Sequence, residues 1–344
     1  MAILLEKGYN ATQSGGREDL SDLIANVDAK STVFTSMAKK GKKPGNVLMG
    51  WQMDTYESPS AAGTVDGTDV TAANLVSNTD SNPGRQRVLM QNYAQIFRRS
   101  FRISSLANEV QNVAGVKSEV ANGIAKKLVE IKRDMELTFL NDADADKDDG
   151  SNPYLTKSMG SFLHASGTGG GSDDVTVPAN FRTTAATVNK ADEVAEEDVQ
   201  NMLKTLFENT GTIRDYDLLL GTALKRNFTS FTQSATGSAD RLAIKTFNTE
   251  SSAKAFINVI DVFEGDFGRL RLHPSTFIAE SGSAVNFKGY VIPFDQAEIR
   301  YGKLPQIKEL TDNGGGPARL IEAVAALVIY NPLAFGYYNC VSAT

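Results

Sequence analysis

Five aspartates crowd into one run, Asp142, Asp144, Asp146, Asp148 and Asp149. Clustered carboxylates are what a hard cation such as calcium takes. An EF-hand-type loop needs glycine at its sixth position and a bidentate glutamate at its twelfth. Counting from Asp142 places Lys147 and Pro153 there, and counting from Asp144 places Asp149 and Leu155. Both registers fail, so the run reads as a solvated acidic loop. The two histidines, His164 and His273, come with no assigned nucleophile and carboxylate. Neither a Gly-x-Ser-x-Gly elbow nor a His-Glu-x-x-His pair occurs. The stretch Gly167-Thr168-Gly169-Gly170-Gly171 lacks the Gly-Lys-Ser/Thr ending that cradles phosphate, and reads as a surface loop. Cys340 is the single cysteine, which excludes an intramolecular disulfide and every multi-cysteine metal motif; its default is a buried structural thiol. The expectation is therefore no catalytic set, no metal and no cofactor. An acid pair of a carbohydrate-active enzyme, hidden among the 41 carboxylates, is the enzymatic alternative.

The elements that carry these residues belong to a chain of 344 residues, 41% hydrophobic and 22% charged, enough for two domains or one elaborate one. The net charge of −6 gives no overall basic character for gripping nucleic acid. No apolar run approaches the roughly 20 residues that span a bilayer, and the start does not read as a signal peptide. The chain reads as a soluble protein folded in a reducing cytosol.

Leu20, Leu23, Ile24 and Val27 share one face of a helix over residues 18–30. Lys39, Lys40, Lys42 and Lys43 then fall in a stretch that reads as a solvated linker. Val47, Met49, Trp51, Met53 and Thr55 alternate as a strand, and a second strand is predicted from Val88 through Phe101. Between them lies a polar tract, 57–87, longer than loops inside compact domains usually are. The two strands with this tract describe an arm leaving the body of its own subunit. Val116, Val120, Ile124, Leu128, Ile131, Met135 and Phe139 predict one amphipathic helix of about 24 residues, a rod for one domain. A second helix is expected around Val199, Met202, Leu203, Leu206 and Phe207. Short strands follow at Asp217–Gly221 and within Phe256–Leu272. Last comes a strand pair, Glu298–Leu310 and Leu320–Tyr330, around Asp312-Asn313-Gly314-Gly315-Gly316-Pro317. The class is α+β. Arg98, Arg99 and Arg102 form a basic cluster that reads either as edge protection or as partners for acids on a neighbouring subunit.

This order of elements resembles the major capsid proteins of tailed bacteriophages, with the Hong Kong 97-like fold. The helix Arg17–Ile24, then Lys43-Pro44-Gly45-Asn46 and a tryptophan-bearing strand, resemble the N-arm and the start of the extended loop. The resemblance implies an N-terminal arm over 1–45 and an extended loop (E-loop) over 46–103. It implies a peripheral domain with spine helix and long hairpin over 104–150 and 298–331, and an axial domain over 151–297 and 332–344. Asn331-Pro332-Leu333-Ala334-Phe335-Gly336 resembles the closing segment of these subunits.

The implied function is a structural shell protein that self-assembles through hexamers and pentamers around a double-stranded DNA genome. It would reside in the virion after assembly in the host bacterial cytoplasm, with no membrane. Separate scaffolding, portal and decoration proteins are its candidate partners, and DNA is enclosed without sequence-specific binding. A nanocompartment shell of the encapsulin type is the alternative with the same fold. The expected subunit-interface residues are Trp51, Met53, Arg98, Arg99, Gly314, Gly315, Gly316, Pro317 and Arg319. Trp51 and Met53 enter because an arm offers its own strands little core. The glycines enter because three of them suit a tip that approaches other backbones closely.

Overall fold

The computed structural model describes residues 31–54, 61, 63, 65–67, 87–106, 118–163, 177, 187–231, 260–278 and 285–342. The helix expected over 18–30, nearly all of the polar tract, His164 and the glycine stretch 167–171 lie outside them.

In chain order the elements are α1 (Val33–Met37), β1 (Lys39–Lys40), β2 (Leu48–Met53), β3 (Val88–Tyr93), β4 (Gln95–Arg102), α2 (Glu119–Phe139), α3 (Met159–Leu163), β5 (Thr187–Val188), α4 (Glu196–Thr210), β6 (Arg214–Leu220), α5 (Thr222–Ser230), β7 (Val262–Gly265), β8 (Gly268–Pro274), β9 (Val285–Ile292), β10 (Ala297–Leu310), β11 (Ala318–Ile329) and β12 (Gly336–Ser342), with a 3-10 turn at Pro332–Ala334 before the last. They form a four-stranded sheet ordered β1-β10-β11-β4, a six-stranded sheet ordered β5-β12-β9-β6-β8-β7, and a two-stranded ribbon β2-β3.

The rod is helix α2, 21 residues and about 31 Å long. Ser118 begins it, its hydroxyl accepting from the Ala121 N–H at 3.4 Å. The expected apolar stripe is graded. Ile131, Met135 and Phe139 are fully buried against the four-stranded sheet, whereas Val120, Ile124 and Leu128 are only half-buried. Helix α4 buries Val199, Met202, Leu203 and Leu206 on the six-stranded sheet and ends on Gly211, whose φ of 67° suits glycine.

Two large apolar cores result, beside two small clusters around Met49 and Tyr93. The larger joins α1, the ribbon, α2, α3 and the four-stranded sheet to Tyr290 and Tyr337 of the other sheet. The smaller lies between α4, α5 and the six-stranded sheet and includes Leu218, Leu220, Phe228, Tyr338 and Cys340.

Three expectations change. The lysine stretch is not a free linker, because Lys39 and Lys40 pair in parallel with Glu298 and Ile299 of β10. The predicted strand 88–101 breaks at Ala94. Its first half pairs with β2 as the ribbon, and its second half, β4, pairs with β11 as a strand of the body. The arm's own pairing is therefore confined to β2 and β3. The aspartate run is also not simply solvated. Asp142 binds Lys288 and accepts the Tyr290 hydroxyl at 3.1 Å, while Asp144 accepts the Ser161 hydroxyl and faces the buried Lys157 ammonium at 3.8 Å. Asp148 and Asp149 shape the exposed turn by accepting from Gly150, Ser151 and Asn152 N–H groups.

Candidate assembly surfaces

Strands β10 and β11 make a long hairpin whose inner part is core and whose outer part is not. Residues Ala297 and Ile299 are buried, but from Leu304 to Leu310 nearly every residue of β10 is exposed, including Leu304, Ile307 and Leu310. Register shifts between Tyr301 and Lys303 and between Lys303 and Gln306 mark bulges at Gly302 and at Leu304-Pro305. Proline there removes a donor from the free edge, a device against uncontrolled strand addition. Strand β11 is central and mostly buried, because β4 runs along its other side as far as Arg102 opposite Ala318. Three strands, not two, thus extend to the tip.

The tip itself is organised by Asp312, whose Oδ1 accepts from the Gly314 N–H at 2.9 Å and the Gly316 N–H at 3.0 Å. Gly314 and Gly316 have φ of 90° and 99°, the left-handed region that glycine tolerates. A side chain on Gly316 would also meet the Ile103 carbonyl oxygen at 2.2 Å. Two of the three glycines are thus explained by the turn and by the segment after β4. Gly315 has neither constraint. It is exposed, and a Cβ there would meet only the movable Arg102 guanidinium, at 2.9 Å. Pro317 is half-buried, its carbonyl accepting from the Ile103 N–H at 3.1 Å.

The expected interface arginines find acids inside their own chain. Arg98 stands opposite Glu322 in register and donates to it at 2.7 Å, and Lys303 donates to the other oxygen at 2.7 Å. These two cations hold the Glu322 carboxyl down at about 2. Arg99 points its fork at Asp134 of α2, at 2.6 and 2.7 Å. Arg319 pairs with Glu309 directly across the hairpin at 2.7 Å. The sequence pattern had no way to put these acids beside the arginines before strand order was known. Arg102 alone of the group has no acidic partner among the described residues.

Trp51, too, has partners within its own chain. Its side chain is 8% exposed within its own subunit. Its indole N–H donates to the Ile329 carbonyl at 3.0 Å, and its ring lies 6.2 Å from that of Phe162. Met53 is half-buried on the same core. The ribbon's base is therefore rooted in the body, since β3 continues into β4 through a single residue.

Among the described residues, no catalytic constellation forms around the other candidates. His273 meets Asp217 at 2.8 Å, next to the Arg271–Asp215 pair at 2.9 Å, a ladder of cross-strand pairs on β6 and β8. Cys340 is fully buried, with its thiol pushed up by that burial. A groove of about 300 Å³ between β5 and α4 carries Lys190 and Asp198, but these are paired with each other.

Two residues that pattern reading passed over join elements distant in sequence. Glu136, on the buried face of α2, accepts from the Phe34 and Thr35 N–H groups, each at 2.7 Å, and so fastens α1 to the rod. Asp142 gathers Lys288, Tyr290 and Tyr337 where α2 ends. Their signal in the sequence is weak: one carboxylate at a core position of a helix, and one just beyond its end.

An α+β chain with a rod helix, a rooted ribbon and a long bulged hairpin has the architecture of shell-forming proteins with the Hong Kong 97-like fold, and solved structures agree. A structure from Mycobacterium phage Che8 matches at TM-score 0.52 and 13% identity, covering 95% of this chain and 98% of that one. A native GTA particle capsid matches at 0.59 and 11%, covering 100% and 99%. The SrpI encapsulin of Synechococcus elongatus matches at 0.56 and 5%, covering 94% and 92%. A search of curated proteins finds no match. A family model, that of the SU10 major capsid protein, matches residues 7–341. The chain belongs to the SU10 major capsid protein family. It is a major capsid protein of a tailed phage, a self-assembling component of the virion shell.

Proposed function

We propose that this subunit is purely structural and assembles through hexamers and pentamers into a closed shell around double-stranded DNA, in the cytoplasm of a bacterial host. The family match over 7–341 carries this reading. The domain division is part of it: arm 1–45, extended loop 46–103, peripheral domain 104–150 and 298–331, axial domain 151–297 and 332–344. The described structure supports one refinement, with β4 counted with the peripheral sheet because all its residues pair with β11. Scaffolding, portal and decoration proteins are its candidate partners, and the enclosed DNA is not read by sequence.

The contact surface is the outer hairpin: the tip Gly314–Pro317, the uncompensated Arg102, and the exposed Leu304, Ile307 and Leu310 of β10. Arg98, Arg99 and Arg319, paired within the chain, hold that hairpin's shape, and their exposed flanks form its rim. The likeness to an encapsulin favours one second reading, a protein-loaded nanocompartment. Sedimentation and negative-stain microscopy of the purified protein, alone and with candidate scaffold partners, test the shell. Closed particles or capsomers are expected; monomer under all conditions overturns the reading. Nucleic acid rather than protein inside particles from infected cells separates phage shell from nanocompartment.

A further inference from the structure

The lysine tract is a run of uncompensated charge on the described surface. Lys39, Lys40, Lys42 and Lys43 are all exposed, and none makes an ion pair among the described residues. Pairing of β1 with β10 brings one carboxylate next to them, Glu298, which packs under Gly41. Glu298 is already taken: it accepts from Arg300 Nε at 2.5 Å. Strand β1 and the loop after it therefore carry four ammonium groups with no counter-charge among the described residues, in a chain whose net charge is −6. Charge of this density on a fixed strand edge raises the local potential and attracts an anionic partner.

The chain carries a surface of the opposite sign. Asp192, Glu193, Glu196 and Glu197, just before and within the first turn of α4, are exposed and make no ion pair among the described residues. Asp198, beside them, is spent on Lys190 and on the Ala195 N–H. The helix N-terminus accounts for part of this acidity, but its dipole is worth only about half an elementary charge. One patch sits on the four-stranded sheet and the other on the six-stranded half, and they are not paired with each other within the chain. In a head-to-tail contact between identical copies, different patches of the same chain face each other.

We propose that the lysine tract at 39–43 of one copy docks on the acidic face of Asp192, Glu193, Glu196 and Glu197 of a second copy. The inference rests on the capsid reading and adds which surfaces meet. Complementary exposed charge acts chiefly on encounter rate and partner register, and salt weakens it.

The test is a charge swap scored against the unaltered protein. Lys42→Glu with Lys43→Glu inverts two of the tract's four charges. Asp192→Lys with Glu193→Lys inverts two of the acidic face's four charges while leaving the first-turn carboxylates of α4 in place. Folding of each variant is checked by circular dichroism, and assembly rate by light scattering at low ionic strength. Each reversal alone should slow assembly on the order of tenfold, and the combination should recover to within about twofold of the unaltered rate. Zero-length carbodiimide cross-linking of the unaltered particles should join a peptide from 39–43 to one from 192–197. Unchanged rates for either reversal, or no recovery in the combination, overturn the pairing. If the lysine reversal instead abolishes retention of a DNA oligonucleotide while assembly is untouched, the tract faces nucleic acid and the pairing is wrong. Failure of the unaltered protein to form particles counts against the capsid reading, and the cross-link map then still scores the contact in whatever oligomer forms.

Discussion

A carboxylate inside an apolar core has to be answered by donors, and Glu136 is answered by backbone N–H groups of α1 rather than by a cation. Burial raises its pKa from 4.5, and the bonds from Thr35 and Phe34 only partly offset this. The folded chain then binds more protons than the unfolded chain above pH 4.5. This contribution to stability is present in full below pH 4.5 and is lost as pH rises through the raised value. Glu136→Gln should therefore flatten a fall in urea midpoint that the unaltered protein shows as pH rises from 4.5. Parallel profiles for the two proteins would contradict the assignment. Glu322 works in the opposite sense. Its carboxyl is held at about 2 by Lys303 and Arg98, so its contribution is present above pH 4.5 and lost as pH falls toward 2. Urea midpoints of Glu322→Gln measured between pH 2 and 4.5 should lack the rise seen in the unaltered protein.

At the scale of elements, the ribbon's base is tied to the body of its own subunit. Trp51 is a core residue that pins the ribbon's base to Ile329 and Phe162. Trp51→Ala should cost the isolated subunit about 3–5 kcal/mol, visible as a lower unfolding midpoint before any assembly is scored. The hairpin tip divides by position. Gly316→Ala forces a side chain into a left-handed backbone and against Ile103, at a cost of about 1–3 kcal/mol. Gly315→Val should leave the subunit folded, since only the Arg102 side chain has to move. What was legible beforehand follows from periodicity. The rod, α4 and the β10–β11 pair were readable because apolar spacing of 3.6 or 2 reports a buried face directly. The break at Ala94 was not, because strand patterning is the same on both sides of it and only pairing partners differ. Nor were the acids that satisfy Arg98, Arg99 and Arg319, since Glu322, Asp134 and Glu309 become neighbours only through strand order and helix packing. The tip glycines were found, but two of the three serve the chain's own turn.

For the whole molecule, the outer part of β10 and the hairpin tip carry the fewest buried residues, and there a tile can be altered without being unfolded. Gly315→Val is therefore expected to give soluble, folded subunits that fail to close shells, as seen by negative stain. Normal particles with unchanged thermal stability would make the tip an ordinary solvent-exposed turn.

The junction at Asp142 bears on a different property of the wall. The end of the rod meets the six-stranded sheet through one carboxylate that holds an ammonium and two phenols, with the stacked rings of Tyr290 and Tyr337 beneath it. Apolar faces slide over one another at small cost until surface is exposed, whereas a directional bond weakens steeply once it is bent or stretched. Load passing from one half of the tile to the other therefore crosses a rivet as well as the apolar packing around it. A wall of such tiles resists shear elastically up to a threshold and then yields abruptly. Removing the rivet with Asp142→Ala should soften assembled shells under a nanoindentation probe and replace a sharp yield point with gradual creep, while an unchanged force curve would show that the stiffness lies elsewhere.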